Sequence, residues 1–194
     1  MSVSGGDNTL VENVRALRDR PFELLKALEK RSRASVTSAE RETSPGNEWV
    51  GVAFRMGGET FLVAREETRE VLGFPAAITR IPGAKSWVKG LANVRGQLLP
   101  MIDLRQFLGS GVTTAGRNTR VVVVNHREIP AGLLVDEVLG FRRFAEREFD
   151  SEPPPTVIRC DSYLAGAFRR GGEIWPVLSL KTLVESQNFL QAAH

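Results

Sequence analysis

The side chains that commonly carry out bond chemistry are few in this sequence, and they are scattered. There are two histidines, His126 in a stretch that reads as a hairpin turn and His194 at the end. Neither stands beside a nucleophile or at the spacing of metal ligands, which hydrolytic and metal-assisted enzymes require. Cys160 is the single cysteine, so neither an intrachain disulfide nor a Cys-based zinc site can form, and the usage fits a reducing compartment. Asp103 lies between Ile102 and Leu104. Just ahead of a helical stretch, it reads as an N-cap rather than an acid catalyst. No Gly-rich phosphate loop follows a strand and opens a helix. The expectation is a chain with no catalytic, metal or cofactor site, working by binding. The residues best suited to binding are Asn93-Val94-Arg95-Gly96. An Asn amide can brace a turn from within, and Arg can then project a planar, five-donor head outward.

The composition allows a folded scaffold to hold that turn. Hydrophobic residues are 42% and charged residues 25% of 194, enough for a core without staples. No signal peptide pattern opens the chain. No apolar run approaches the roughly 20 residues that span a bilayer; the longest, 121–124, reads as a buried strand. The expectation is a cytoplasmic protein without direct membrane insertion. The net charge of +3 invites a nucleic-acid reading. However, the charges are interspersed, as in Arg65-Glu66-Glu67 and Glu146-Arg147-Glu148, so a solvated surface is the simpler account.

Three segments differ in texture. Residues 1–48 form an extension: Leu10, Val14 and Leu17 share one helical face, as do Leu24 and Leu28. Pro21 can open the second helix. Two short amphipathic helices are expected over 9–18 and 21–33, followed by a polar linker over 32–48 without periodicity. From Trp49 the pattern is β: Val50, Val52, Phe54 and Met56 alternate with smaller or charged residues, and Gly57-Gly58 turns the chain. Further strands are expected at 91–95, 97–102, 120–125, 131–135, 165–170 and 173–178, as in small barrels. A last helix over 180–191 places Leu180, Leu183, Val184, Gln187 and Leu190 on one face, with Ser179 as its N-cap. The domain reading is 1–48 extension, 49–188 barrels, 189–194 tail.

The barrel region repeats itself, its hairpin block at a constant offset. Trp87–Leu108 aligns with Tyr163–Val184, matching Gly90 to Gly166, Gly96 to Gly172, Pro100 to Pro176 and Leu104 to Leu180. Upstream, Arg69-Glu70-Val71-Leu72-Gly73-Phe74 is echoed by Asp136-Glu137-Val138-Leu139-Gly140-Phe141. Positions common to both copies are best assigned to the fold. Gly96 and Gly172 suit backbone with φ > 0, the two prolines suit edges or bulges, and Glu70 and Glu137 have a partly structural role. The copies differ most at the hairpin tip, where Arg169-Arg170-Gly171-Gly172 replaces Asn93-Val94-Arg95-Gly96. That difference makes Arg95 a binding residue.

The run Leu91-Ala-Asn-Val-Arg-Gly-Gln-Leu-Leu-Pro-Met-Ile-Asp-Leu-Arg105 resembles the core of the CheW-like domain. Phe54 to Glu59, Arg69 to Leu72 and Gly132 to Val138 fall where that family has similar segments, and the resemblance covers about residues 49–188. It implies a mainly β fold: two intertwined SH3-like five-stranded β-barrels with a groove between them, here with a helical N-terminal extension and a C-terminal helix. It implies an adaptor with neither catalytic activity nor cofactor. The implied partners are the cytoplasmic tip of a methyl-accepting chemoreceptor and the regulatory domain of a chemosensory histidine kinase, with recruitment to the inner membrane through receptor arrays. Glu70 matches an acidic partner-binding position; Gly90, Asn93, Arg95 and Gly96 match the contact hairpin; Val71 and Val94 are implied groove positions. The extension of about fifty residues sets the chain apart from short chemotaxis adaptors and is similar to the branch serving type IV pilus twitching motility. The Pro-rich stretch from Asp150 to Pro155 leaves the second copy's groove edge open.

Two rival readings remain open on sequence alone. A nucleic-acid-binding β-barrel needs aromatics interleaved with basic residues on an exposed sheet, whereas the aromatics here fall mostly at core positions. A detached regulatory fragment of the kinase itself would share the fold; the extension carries no ATP-binding motif, which favours a separate adaptor.

Overall fold

The computed structural model of the chain describes residues 48–192. The helices expected over 9–18 and 21–33, and the linker up to residue 47, lie outside the described residues, as do Ala193 and His194. The described residues form one compact unit, and among them no helix is long and apolar enough to cross a membrane.

Eleven strands, named in chain order, build two sheets: β1 Glu48–Met56, β2 Glu59–Ala64, β3 Thr68–Gly73, β4 Val88–Val94, β5 Gln97–Asp103, β6 Arg120–Val124, β7 Gly132–Val135, β8 Glu137–Ala145, β9 Phe149–Asp150, β10 Leu164–Arg170 and β11 Glu173–Leu178. The first sheet runs β8-β1-β2-β11-β10-β9 and the second β3-β6-β7-β5-β4. Both are thus five-stranded, with the two-residue β9 added at one edge of the first.

The repeat explains how the barrels interlock. Copy one supplies β1 to β5; copy two supplies β6, β7, β8, β10 and β11. The first sheet takes the β1–β2 hairpin from copy one and three strands from copy two, and the second does the reverse. Neither copy closes a barrel alone, which is what intertwining means here. The registers match at the constant offset: Val88 pairs with Ile102 as Leu164 does with Leu178, and Val94 with Gln97 as Arg170 does with Glu173.

Packing follows the same symmetry. Ala92, Leu99, Met101, Val121, Val123 and Leu134 fill the second barrel; Ala53, Leu62, Phe144, Phe168 and Val177 fill the first. Between the sheets lies a larger shared core that includes Phe54, Phe61, Ile102, Val122, Leu133 and Leu178. Strand alternation sends neighbouring residues to different cores, which is why Ala53 and Phe54 are both buried. Aromatic rings from both copies meet: Phe107 contacts Trp87 at 5.1 Å and Tyr163 at 5.9 Å between ring centroids.

Asp103 and Ser179 cap as expected, accepting from the backbone N–H of Gln106 at 3.2 Å and of Thr182 at 3.2 Å. Their helices are short: α1 Leu104–Phe107 and α2 Leu180–Glu185. Asp103 is wholly buried and also accepts from the N–H and hydroxyl of Thr113. The two prolines sit inside β5 and β11, each one residue before the parallel pairing that begins at Met101 or Val177. Their missing N–H therefore faces a locally unpaired flank.

The sequence and structure differ in two places. The echoed segments after Thr68 and Asp136 are strands, β3 and β8, each at a sheet edge. The helix expected over 180–191 is broken. Ser186 is extended (φ −66°, ψ 144°) and caps a separate turn, α3 Gln187–Leu190, by accepting from Phe189 N–H at 3.3 Å. A serine that bonds its own backbone competes with helix propagation. The break turns Phe189 into the core and leaves Leu190 57% exposed, so Leu190 does not share the apolar face.

Candidate functional site

The β4–β5 hairpin closes in a two-residue turn at Arg95 (φ 51°) and Gly96 (φ 84°). Positive φ at both central positions is the type I′ turn, whose twist suits paired strands. Arg95 is the only non-glycine with positive φ among the described residues, a conformation that L-residues with a Cβ resist. The turn is braced as its sequence suggests: Gly96 N–H donates to Asn93 Oδ1 at 2.8 Å. The guanidinium does not simply project outward. Arg95 Nη2 lies 3.0 Å from Glu70 Oε2 on β3, with the Arg95 side chain 78% exposed and that of Glu70 19%.

Arg95 and Glu70 sit at the rim of a depression of about 250 Å³ lined also by Arg69, Val94, Gln97, Leu99 and Val123. The structure therefore brings together Glu70, Val94 and Arg95, which lie 24 and 25 positions apart in sequence, and holds Asn93 and Gly96 at the turn itself. Val71 lies elsewhere. Period two turns it away from its neighbour Glu70, into a second depression of about 320 Å³ between the barrels, where Val52 of β1 and Val138 and Phe141 of β8 complete the wall. Glu70 lines both depressions, so it stands at the ridge between them. Gly90 is placed differently again. It is buried with φ 137°, and a Cβ there would collide with the Thr79 carbonyl oxygen. Its copy, Gly166 (φ 143°), would meet Asp150 in the same way. Both glycines admit a neighbouring backbone segment against the hairpin.

Of the residues at these surfaces that escaped the sequence reading, three stand out. Leu98 is 67% exposed beside the tip, and Phe141 is 62% exposed at the wall between the barrels. Leu99, the other, is buried under the Arg95 depression. The signal for Leu98 was present: Leu98 and Leu99 face opposite sides of their strand, and next to a turn only one of those sides reaches a core. For Phe141 it was the echo of Phe74, which is 41% exposed.

The copy-two tip has the same backbone with different chemistry. Gly171 (φ 59°) and Gly172 (φ 84°) make the turn, and the flanking arginines are tied down. Arg169 Nε bonds Asp150 at 2.9 Å, and Arg170 Nε bonds Glu148 at 2.7 Å while its guanidinium lies 4.5 Å from the Phe144 ring centroid. The Arg170 guanidinium beside Glu148 holds that carboxyl down at about 2, helped by the N–H of Ala145. Glu137, the copy of Glu70, pairs at 2.8 Å with Arg55 of the adjacent strand rather than with a tip residue.

Two strand-exchanged small barrels, with a groove between them, define the CheW-like class of scaffold. Residues 50–188 match the CheW-like domain, and the chain belongs to that family. Among its relatives, Protein PilI of Pseudomonas aeruginosa is 39% identical over 173 residues, covering 89% of this chain and 96% of that protein. Chemotaxis protein CheW of Klebsiella aerogenes is 28% identical over 135 residues, 69% and 80% of the respective chains. The crystal structure of the scaffolding protein TtCheW from Thermoanaerobacter tengcongensis superposes with a TM-score of 0.63 at 26% identity, covering 72% of this chain and 94% of that one. The chain is thus a CheW-like scaffold of chemosensory signalling.

Proposed function

We propose that the protein is a non-catalytic adaptor joining the cytoplasmic tip of a methyl-accepting chemoreceptor to the regulatory domain of a chemosensory histidine kinase, in the control of type IV pilus twitching motility. The observation that carries this reading is Arg95. An arginine is kept in a left-handed turn that copy two builds from two glycines, and its charged head lies over an open depression against Glu70. Strain of about 1 kcal/mol or more at a non-glycine is the kind of feature that contact sites retain. The kinase domain is assigned to the Glu70–Arg95 depression with Asn93, Val94 and Gly96. The receptor hairpin is assigned to the groove between the barrels, where Val71, Val138 and Phe141 offer an apolar wall to helices. Gly90 contributes by shaping the hairpin. Receptor binding would bring the adaptor to the inner membrane. The similarity to Protein PilI over most of the chain supports the pilus branch.

The test is a binding titration of the full chain against purified kinase regulatory domain and receptor cytoplasmic hairpin, with DNA and RNA as controls. Arg95→Ala is expected to weaken kinase binding by roughly tenfold or more, the scale of a contact-centre residue, with receptor binding intact. Val71→Asp is expected to do the reverse. Unchanged affinity of both variants for both partners would sink the site assignment, and salt-dependent binding to nucleic acid in place of either partner would sink the function.

A further inference from the structure

The β4–β5 hairpin has a second face. On β5, Gln97 and Leu99 point into the Arg95 depression; Leu98, Pro100 and Ile102 alternate to the opposite side. There the strand meets a groove of about 340 Å³ whose walls are almost wholly apolar, formed by Pro100, Ile102, Trp87, Ile129, Phe189 and Leu190. Ile81 and Leu190 stand exposed at its rim, 40% and 57%, and Leu98 carries the apolar stripe outward to the tip. From Leu98 to Ile102 the stripe is roughly 13 Å long.

We infer that this groove is a third docking surface, and that it takes an amphipathic helix whose polar flank is acidic. The backbone of its walls argues for a helix. Leu91 and Thr79 exchange two 2.8 Å hydrogen bonds, which interrupt the outer edge of β4 at its centre. Lys85 N–H donates to Ala192 O, Val88 N–H to Lys85 O and Asp103 N–H to Trp87 O. An extended peptide laid here would find no continuous open ladder and would leave its own polar groups unpaired. A helix satisfies its backbone internally and needs only side-chain cover. Side chains at i, i+4 and i+7 span about 11 Å, which matches the stripe. The charges around the rim argue for acidity. Arg80, Lys85 and Arg127 flank the lining segments, three cations against the carboxylates of Glu128 and of Glu185, the latter engaged by His126 at 3.2 Å. The surface shares no lining residue with the Arg95 depression or with the groove between the barrels, and the inference does not depend on the receptor and kinase assignment.

The experiment is a methyl-detected NMR titration of the full chain. The probe is a helical peptide of about 14 residues, roughly 21 Å long, with leucines at i, i+4 and i+7 flanked by glutamates; its counterpart carries lysines in their place. The glutamate peptide is expected to shift the Ile81, Leu98 and Leu190 methyls saturably and to bind roughly tenfold tighter than the lysine peptide, as complementary charge predicts. Ile81→Asp and Leu190→Asp should each weaken it by about tenfold. Both side chains are exposed, so the thermal midpoints should hold, and two independent variants guard against a local distortion by either. Equal affinity for the two peptides, or shifts confined to the other two surfaces, or no shifts at all, would overturn the proposal.

Discussion

The two hairpin tips, Val94-Arg95-Gly96-Gln97 and Arg170-Gly171-Gly172-Glu173, share one backbone and put it to opposite uses. Both have positive φ at their two central residues. In copy two glycines fill both positions, and the neighbouring arginines are bound by Asp150 and Glu148. In copy one an arginine occupies the strained position, an asparagine braces it, and the guanidinium reaches a carboxylate on a distant strand. A duplicated element acts as its own control. Whatever the fold alone demands must be met in both copies, so the arginine in the left-handed turn is not a demand of the fold. The glycines that admit a passing backbone, Gly90 and Gly166, are such a demand.

The largest expected effect breaks both tips alike. In Gly90→Ala and Gly166→Ala the new Cβ meets backbone, Thr79 O in one case and Asp150 O in the other, and neither oxygen can move without opening its hairpin's neighbour. Each substitution should cost about 3 kcal/mol or more, the range of severe backbone and packing conflicts, read from the urea midpoint. Near-wild-type stability in Gly90→Ala with a large loss in Gly166→Ala would show that the copies are not equivalent, and would move Gly90 from scaffold to contact surface.

Much of this comparison is legible in the sequence, for identifiable reasons. Turn glycines, the capping roles of Asp103 and Ser179 and the amide brace at Asn93 are local, within about three residues, and local chemistry reads directly. The constant offset between copies foretells the matched registers. Which barrel each strand joins is not local. The repeat fixes the order of strands but not their exchange, because that depends on pairing between residues such as Phe54 and Val138, more than eighty positions apart. The Arg95–Glu70 pair was hidden for the same reason, and so was the separation of Val71 from the Arg95 site. Strands β3 and β8 were missed as strands because edge segments carry charge and glycine in place of an apolar run.

The next effect belongs to copy two alone. Glu148 is held at about 2, below the 4.5 of a free glutamate, and the N–H of Glu152 and then Arg169 lower Asp150 as well. A carboxylate whose folded value is depressed contributes stability that is fully present above its unfolded value. Protonation of Glu148 should therefore lower stability as pH drops from 4.5 toward 2, by about 1 kcal/mol after allowance for screening of the half-exposed Arg170. Glu148→Gln should be less stable at neutral pH and flatter across that window, by chemical denaturation at each pH. An identical pH profile in the two proteins would remove the clamp from the account of tip two. In copy one, Asn93→Ala deletes the bond to Gly96 N–H and should cost about 1 kcal/mol, with the hairpin amides of 93–97 exchanging faster. Unaltered exchange would mean that the type I′ turn holds without its brace.

The smallest effect on stability separates fold from function most sharply. Arg95→Gly makes the turn of copy one resemble that of copy two. It relieves a left-handed residue, worth about 1 kcal/mol, but glycine gains freedom in the unfolded chain, about 0.5–1 kcal/mol, and an exposed ion pair worth up to about 1 kcal/mol is lost. These partly cancel, so stability should change by no more than about 1 kcal/mol while kinase binding falls as in Arg95→Ala. The converse change, Gly171→Arg, imports the strain with neither a brace at position 169 nor a site to serve, and should cost about 1 kcal/mol. If Arg95→Gly were strongly destabilised and Gly171→Arg were not, the arginine would belong to the fold of copy one, and the contact site would have to be sought at Leu98 and the groove between the barrels instead.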